Sequence, residues 1–217
     1  MEIIELMKER HSVRQYTDKK IEKEKREVLN ALIAKINQKA GLHIQIIYDE
    51  PNCFNSMMAH YGKFDGVNNY IALVGKKSKS DESLGYYGEQ IVLKAQELGL
   101  NTCWVAMTHG KSKAQIDKGE KLVCLISLGY GKTAGVVHKS KKLSEVCNYK
   151  KDMPEWFLSG MEAALLAPTA MNRQKFYFEL LPDNSIKITC GKGLYTKLDL
   201  GIVKYHFEVV SGKVNWR

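Results

Sequence analysis

Apolar positions recur along the chain first at helical and then at alternating spacing. Residues 2–9 (EIIELMKE) place Ile3, Ile4, Leu6 and Met7 along a short helix, and residues 22–39 continue as a longer one with Val28, Leu29, Leu32, Ile33 and Ile36 on one face. The segment 43–48 (HIQIIY) alternates as a strand does. Residues 49–69, with Pro51, Gly62, Gly66 and several asparagines, predict irregular chain, and 70–74 (YIALV) a second strand ended by Gly75. A helix over about 82–98 follows, with Ile91, Val92, Leu93, Ala95 and Leu98 apolar and Gly99 placed where a left-handed C-cap is wanted. The pattern then predicts a strand at 102–106 (TCWVA), a short polar helix near 112–118, and a strand at 122–128 (LVCLISL) closed by Gly-Tyr-Gly. The last third repeats the alternation. A helix near 154–167 begins at Pro154 and stops at Pro168, strands cover 175–181 (KFYFELL) and 186–190 (IKITC), and 198–210 is helical.

Composition changes this picture little. At 217 residues and 44% hydrophobic, the chain is long enough to bury a sizeable core as one large or two small domains. No apolar run reaches the roughly eighteen residues of a membrane span, and MEIIELMKERHS lacks the apolar stretch and cleavage site of an export signal. A soluble, cytoplasmic protein without membrane association is expected. The five cysteines form no CxxC pair, which suggests reduced and mostly buried thiols. None of the six histidines forms an HxxxH or neighbours a cysteine pair, so no metal site is expected.

The net charge of +9 raises a nucleic-acid reading, since lysines and arginines on phosphates supply most non-specific affinity. The distribution speaks against it. KKIEKEKRE and KKSKSDE interleave bases with acids as solvated faces do, and no aromatic-lined basic motif is present. A basic protein can equally attract small anions. The segment RHSVRQY (10–16) is a candidate: in extended chain Arg10, Ser12 and Arg14 point the same way and offer forked guanidinium and hydroxyl donors in a small arc, with His11 pointing elsewhere. Taken alone, the same segment also reads as the solvated basic end of the first helix with Ser12 as a cap.

The last third also matches an earlier stretch. Residues 70–85 (YIALVGKKSKSDESLG) and 186–201 (IKITCGKGLYTKLDLG) both run from a short strand through Gly-Lys to Leu-Gly in a helix. Upstream, LNALIAKINQKAGLHIQIIY has a counterpart in MEAALLAPTAMNRQKFYFEL. The chain therefore reads as one packed unit, 1–217, with a first repeat over about 1–148 and a shorter second repeat over about 149–217.

RHSVRQY after an amphipathic first helix, GEQIVLKAQELGLNTCWVA, SLGYGK and APTAMNRQKFYF together resemble the nitroreductase family of flavin mononucleotide (FMN) enzymes, over most of the chain. The resemblance implies an α+β nitroreductase-like fold, a mixed or antiparallel sheet flanked by helices, with an internal pseudo-twofold repeat. In the family the A-P-[ST]-x-x-N-x-Q loop follows the arginine-rich motif; here the first copy has AKINQKAGL and the loop stands only in the second, at 167–174. The family is ordinarily a homodimer with its sites at the subunit interface, so one chain is expected to mimic that dimer as a monomer. By resemblance Arg10, Ser12 and Arg14 hold the FMN phosphate and His11 meets the flavin partly through its backbone. Lys139 and Lys141 reach the same phosphate, backbone amides near Ala106, Met107 and Thr108 lie by the ring, and Pro168, Thr169, Ala170 and Asn172 close the opposite side. Gln174 is expected to hold that loop, and Tyr61, Phe64, Tyr86 and Tyr87 are candidates for the substrate side. His109 is not expected to act as a base, because the flavin carries the hydride.

The implied reaction is ping-pong: NADH or NADPH serves as transient co-substrate, and a nitroaromatic, quinone or similar small-molecule electron acceptor is reduced. The lone GYG is no dinucleotide fingerprint, and family members need none. The alternative is a flavin-binding protein without turnover, a sensor or carrier, since neither copy carries both motifs.

Overall fold

A computed structural model of the chain describes residues 2–77, 81–212 and 214–217. The long amphipathic segments fold as α1 (Ile3–Glu9), α2 (Lys23–Ala40), α4 (Asp81–Glu97), α6 (Glu155–Leu165) and α7 (Thr196–Ser211). Short helices stand at α3 (Met57–Tyr61) and α5 (Leu143–Val146). Strands β1 (Gln45–Ile47), β2 (Asn69–Lys76), β3 (Asn101–Val105) and β4 (Glu120–Gly129) form an antiparallel sheet in the order β1-β2-β4-β3. A separate antiparallel pair joins β5 (Phe176–Leu180) to β6 (Ile186–Cys190). The architecture is α+β with antiparallel sheets flanked by helices. No helix is long and apolar enough to cross a membrane among the described residues.

The larger sheet is covered on both faces, which is why β2 and β4 read as near-continuous apolar runs. One face packs Leu29, Ile33 and Ile36 of α2 and Leu84, Ile91 and Ala95 of α4 against Ile71, Leu73 and Ile126. The other carries Phe54, Phe64, Tyr70 and Val105 together with Val13 and Tyr16 from the segment after α1. A third core lies between α6, α7 and the β5–β6 pair, around Phe157, Phe178 and Phe207. All five cysteines are unpaired, and four are buried.

Several boundaries differ from the sequence expectation for local reasons. Gly75 does not end β2, which continues to Lys76 because Gly75 pairs with Lys121. The irregular stretch 49–69 contains α3, nucleated by Ser56, whose Oγ accepts the Ala59 N–H at 3.2 Å. Residues 112–118 are not helical. Their backbone donors are taken by side chains instead: Lys113 N–H by the Tyr70 hydroxyl (2.9 Å), Ala114 N–H by Ser112 Oγ (3.1 Å) and Gln115 N–H by Gln45 Oε1 (2.9 Å).

The two stretches matched in sequence, 70–85 and 186–201, place their glycines in one contact between α4 and α7. A Cβ on Gly85 would stand 2.0 Å from Leu198 O and 3.2 Å from Ile202 N, and one on Gly201 would stand 1.9 Å from Glu82 O and 2.6 Å from Tyr86 N. In that alignment Gly85 falls on Gly201, Glu82 on Leu198 and, one position further, Tyr86 on Ile202. The contact is therefore reciprocal, as across a twofold axis. Around it, α2-β1-α3-β2-α4 and α6-β5-β6-α7 both run from a helix through an antiparallel strand pair to a helix, with α3 inserted between the strands of the first.

Candidate functional site

The segment after α1 runs extended beside β3, with Ser12 bridged in parallel to Thr102 and the Val13 N–H donating to Thr102 O at 3.0 Å. Val13 is buried below the sheet, while Arg10, Ser12 and Arg14 line a crevice of about 650 Å³, within the range of small-molecule sites. His11 lines it too, contrary to the alternation. Gly135 explains the close packing there: at φ +80° it passes so near that a Cβ would stand 2.7 Å from His11 Cβ, bringing Val136, Val137 and His138 into the same wall. Burial first, then the charges of Arg10 and His138, push the His11 pKa down and favour its neutral form.

Across the crevice stands the joint between α6 and β5. Pro168, Thr169, Ala170 and Asn172 all line the cavity. Proline ends the helix, and a 3-10 turn over Ala170–Asn172 follows, with Met171, Asn172 and Gln174 at φ of 54°, 51° and 45°. Three non-glycine residues in the left-handed region within four positions is a strained backbone, and such strain persists only where the surroundings hold it. Here they do. Buried Gln174 takes the Lys141 N–H on its Oε1 (2.7 Å) and donates its Nε2 to Leu165 O (3.2 Å), while its own N–H goes to Thr169 Oγ1 (3.0 Å). Asn172 Nδ2 donates to Lys139 O (2.8 Å), and the Ala170 N–H points between both oxygens of Asp199 (3.0 and 3.1 Å).

The floor comes from the end of β3, where Ala106, Met107 and Thr108 leave the sheet, and from the first turn of α7. Tyr195 joins the two by donating its hydroxyl to Ala106 O at 3.3 Å. Asp199 faces the cavity from α7. Burial raises its carboxyl from 3.8 to about 6, opposed by the Ala170 N–H. Burial likewise pushes the Cys124 thiol in the wall up to about 12, which makes it unreactive.

The charges of the lining are lopsided. Arg10, Arg14, Arg173 and Lys175 are opposed by the single carboxylate of Asp199 among the described residues. Arg10 is 3% exposed, its Nε lies 3.8 Å from Glu89 Oε1, and its Nε and Nη1 have no hydrogen-bond partner among the described residues. A guanidinium at a cavity wall with no hydrogen-bonded carboxylate offers its charge to an anion in that cavity.

Of the residues singled out in sequence, the crevice gathers Arg10, His11, Ser12, Arg14, Phe64, Ala106, Met107, Thr108, Pro168, Thr169, Ala170 and Asn172. Lys139 and Lys141 do not line it; the Lys139 carbonyl and the Lys141 backbone and ammonium instead hold Asn172 and Gln174. His109 lies outside the lining, with its Nδ1–H on Gly110 O. Tyr61 is 81% exposed and does not line the crevice, and Tyr86 meets Tyr87 and Tyr205 edge to face in the α4–α7 region, where its hydroxyl donates to Glu208. Sequence reasoning missed His138, Tyr195 and Asp199. For Asp199 no clear signal existed: the repeat alignment sets it against Ser83, but Asp81 and Glu82 beside it also differ from Lys197 and Leu198.

Comparison with known proteins returns the same antiparallel α+β fold. A profile of the family described as "Putative TM nitroreductase" matches residues 2–211, and the chain belongs to this family. It is similar to the crystal structure of a "putative nitroreductase" from Thermotoga maritima at 24% identity, over 97% of this chain and 83% of that one, with a TM-score of 0.72. A "putative nitroreductase" in complex with FMN from Desulfovibrio desulfuricans is 17% identical over 71% of this chain and 99% of its own, with a TM-score of 0.53. A "putative NADH dehydrogenase/NAD(P)H nitroreductase" from Bacteroides thetaiotaomicron is 19% identical over 70% and 98%, with a TM-score of 0.52. No curated protein matches the chain.

Proposed function

We propose that the protein is an FMN-dependent oxidoreductase that takes electrons from NADH or NADPH and passes them, in a ping-pong cycle, to an electron-poor small molecule such as a nitroaromatic or quinone. The observation that carries the reading is the convergence on one crevice of Arg10, Ser12 and Arg14 from the segment after α1 with Pro168, Thr169, Ala170 and Asn172 of the proline loop. Membership of a nitroreductase family and the FMN held by a structural relative support it.

In this reading Arg10, Ser12 and Arg14 bind the phosphate, and His11, kept neutral by burial, packs beside it. Backbone amides at Ala106, Met107 and Thr108 and the turn at Pro168, Thr169, Ala170 and Asn172 orient the ring from two sides. Lys139 and Lys141 act at one remove, through Asn172 and Gln174. Bound FMN would supply the redox chemistry, and the chain supplies binding, orientation and a fixed electrostatic setting. We also read α2-β1-α3-β2-α4 and α6-β5-β6-α7 as the two repeats of one functional monomer, a reading supported by the reciprocal glycine contact.

The test is a visible spectrum during titration with FMN. The protein should hold flavin, and Arg14→Ala and Asn172→Ala should each weaken it about tenfold, equivalent to about 1.4 kcal/mol. Parent-like affinity in both variants overturns the site. Anaerobic addition of NADH or NADPH should bleach the flavin; yellow protein that stays yellow identifies a binder without turnover.

A further inference from the structure

Behind Arg10 lies a buried charge cluster that neither the motifs nor the crevice account for. Glu89 of α4 and His206 of α7 are both 0% exposed. Glu89 Oε2 accepts Trp104 Nε1–H at 3.0 Å, and its Oε1 stands 2.9 Å from His206 Nε2 and 3.8 Å from Arg10 Nε. On the far side of the ring, His206 Nδ1 lies 3.0 Å from Ala163 O of α6. A carbonyl oxygen only accepts, so Nδ1 carries a hydrogen. Nε2 faces a carboxylate oxygen at hydrogen-bond distance, so a second hydrogen lies between them, on one partner or the other. The pair thus holds one proton more than a neutral imidazole and a bare carboxylate, and its net charge is zero. Tyr205 also faces Glu89, and its phenol is pushed up to about 12, by burial first and then by Glu89, so it adds no charge.

This balance decides what Arg10 can do. Were Glu89 a bare carboxylate, it would neutralise the guanidinium 3.8 Å away, and in a buried setting little attraction would remain for a second anion. We propose that the Glu89–His206 pair, by sharing one proton, keeps the charge of Arg10 uncompensated and so available to a phosphate-bearing ligand. His206 is then a positioning residue that acts through Glu89, and it links the last helix of the chain to an anion site at its beginning. The inference rests on the FMN reading and assigns it two residues that touch no ligand.

The test compares FMN with riboflavin, which lacks only the phosphate, by fluorescence titration of the full chain. The ratio of the two dissociation constants isolates the phosphate contribution. His206→Gln leaves Glu89 without its proton partner, and the ratio should fall about tenfold or more. Glu89→Gln is neutral beside a neutral histidine, and the ratio should stay within about threefold of the parent. The double variant should recover the parent ratio within about threefold, which lost packing alone would not produce. An unchanged ratio in His206→Gln, or no recovery in the double variant, overturns the inference while leaving FMN binding intact. A parent that binds neither flavin overturns the proposed function and this inference together. If His206→Gln does not fold, nitrogen and carboxyl NMR of the parent decides: a neutral His206 beside an ionised Glu89 overturns the inference, and any state with a proton between them supports it.

Discussion

Between α2 and β1 the chain turns through Gly41, at φ +62° with open space around it, and Asn37 clamps the turn by exchanging two hydrogen bonds with Ile44 (2.8 and 2.9 Å). Between α6 and β5 the same passage from helix to strand uses Pro168 and three non-glycine residues at positive φ, held by Gln174 and Asp199. The first joint adopts the left-handed conformation on the residue that bears it at least cost. The second places it on Met171, Asn172 and Gln174, and it is the second that lines the crevice. Of two comparable joints, the strained one is the one at the crevice, as the proposed binding role of that loop expects.

The contact between α4 and α7 at Gly85 and Gly201 should produce the largest effects. Gly85→Ala and Gly201→Ala each force a Cβ to about 2 Å from a carbonyl oxygen of the facing helix, and each should cost about 3 kcal/mol or more in a denaturant melt. Markedly unequal losses would break the reciprocity.

Asp199 comes next. Its folded-state pKa of about 6 lies above the ordinary 3.8, so the unfolded chain gives up the proton first and stability falls as pH rises from about 4 to about 6. Asp199→Asn should flatten that slope and gain about 2 kcal/mol near pH 7, read from melts across pH. A variant that keeps the slope would assign it elsewhere.

The clamps sharpen the comparison further. Asn37→Ala and Gln174→Ala should each cost about 1–2 kcal/mol, since the first leaves the Ile44 N–H and carbonyl without their partner and the second the Lys141 N–H. Only Gln174→Ala should also weaken FMN in a titration. The smallest effects are at the left-handed positions themselves: Met171→Gly should gain, and Gly41→Ala lose, about 1 kcal/mol.

What was legible in the sequence follows the same division. Elements with long, regular periodicity, such as α4 with its Gly99 stop, were readable because their neighbours along the chain carry the signal. The helix α3 was hidden among asparagines and glycines, and residues 112–118 read as helical because nothing local reveals that Tyr70 and Gln45 take their N–H groups. At the site, Arg10, Ser12, Arg14 and the proline loop announced themselves as motifs. Glu89 and His206 did not: each is a single polar residue on an otherwise apolar helix face, and its meaning arises only when α4 and α7 meet. Lys139 and Lys141 carried the right charge and supply mostly backbone.

The interlock of α4 and α7 has a consequence for how the crevice behaves in dilute solution. A cleft assembled from separate subunits empties when its halves drift apart, whereas here both walls hang on one covalent thread and the local concentration of each for the other is fixed by the intervening chain. The two walls therefore meet at a frequency set by the intervening chain and not by how much protein is present.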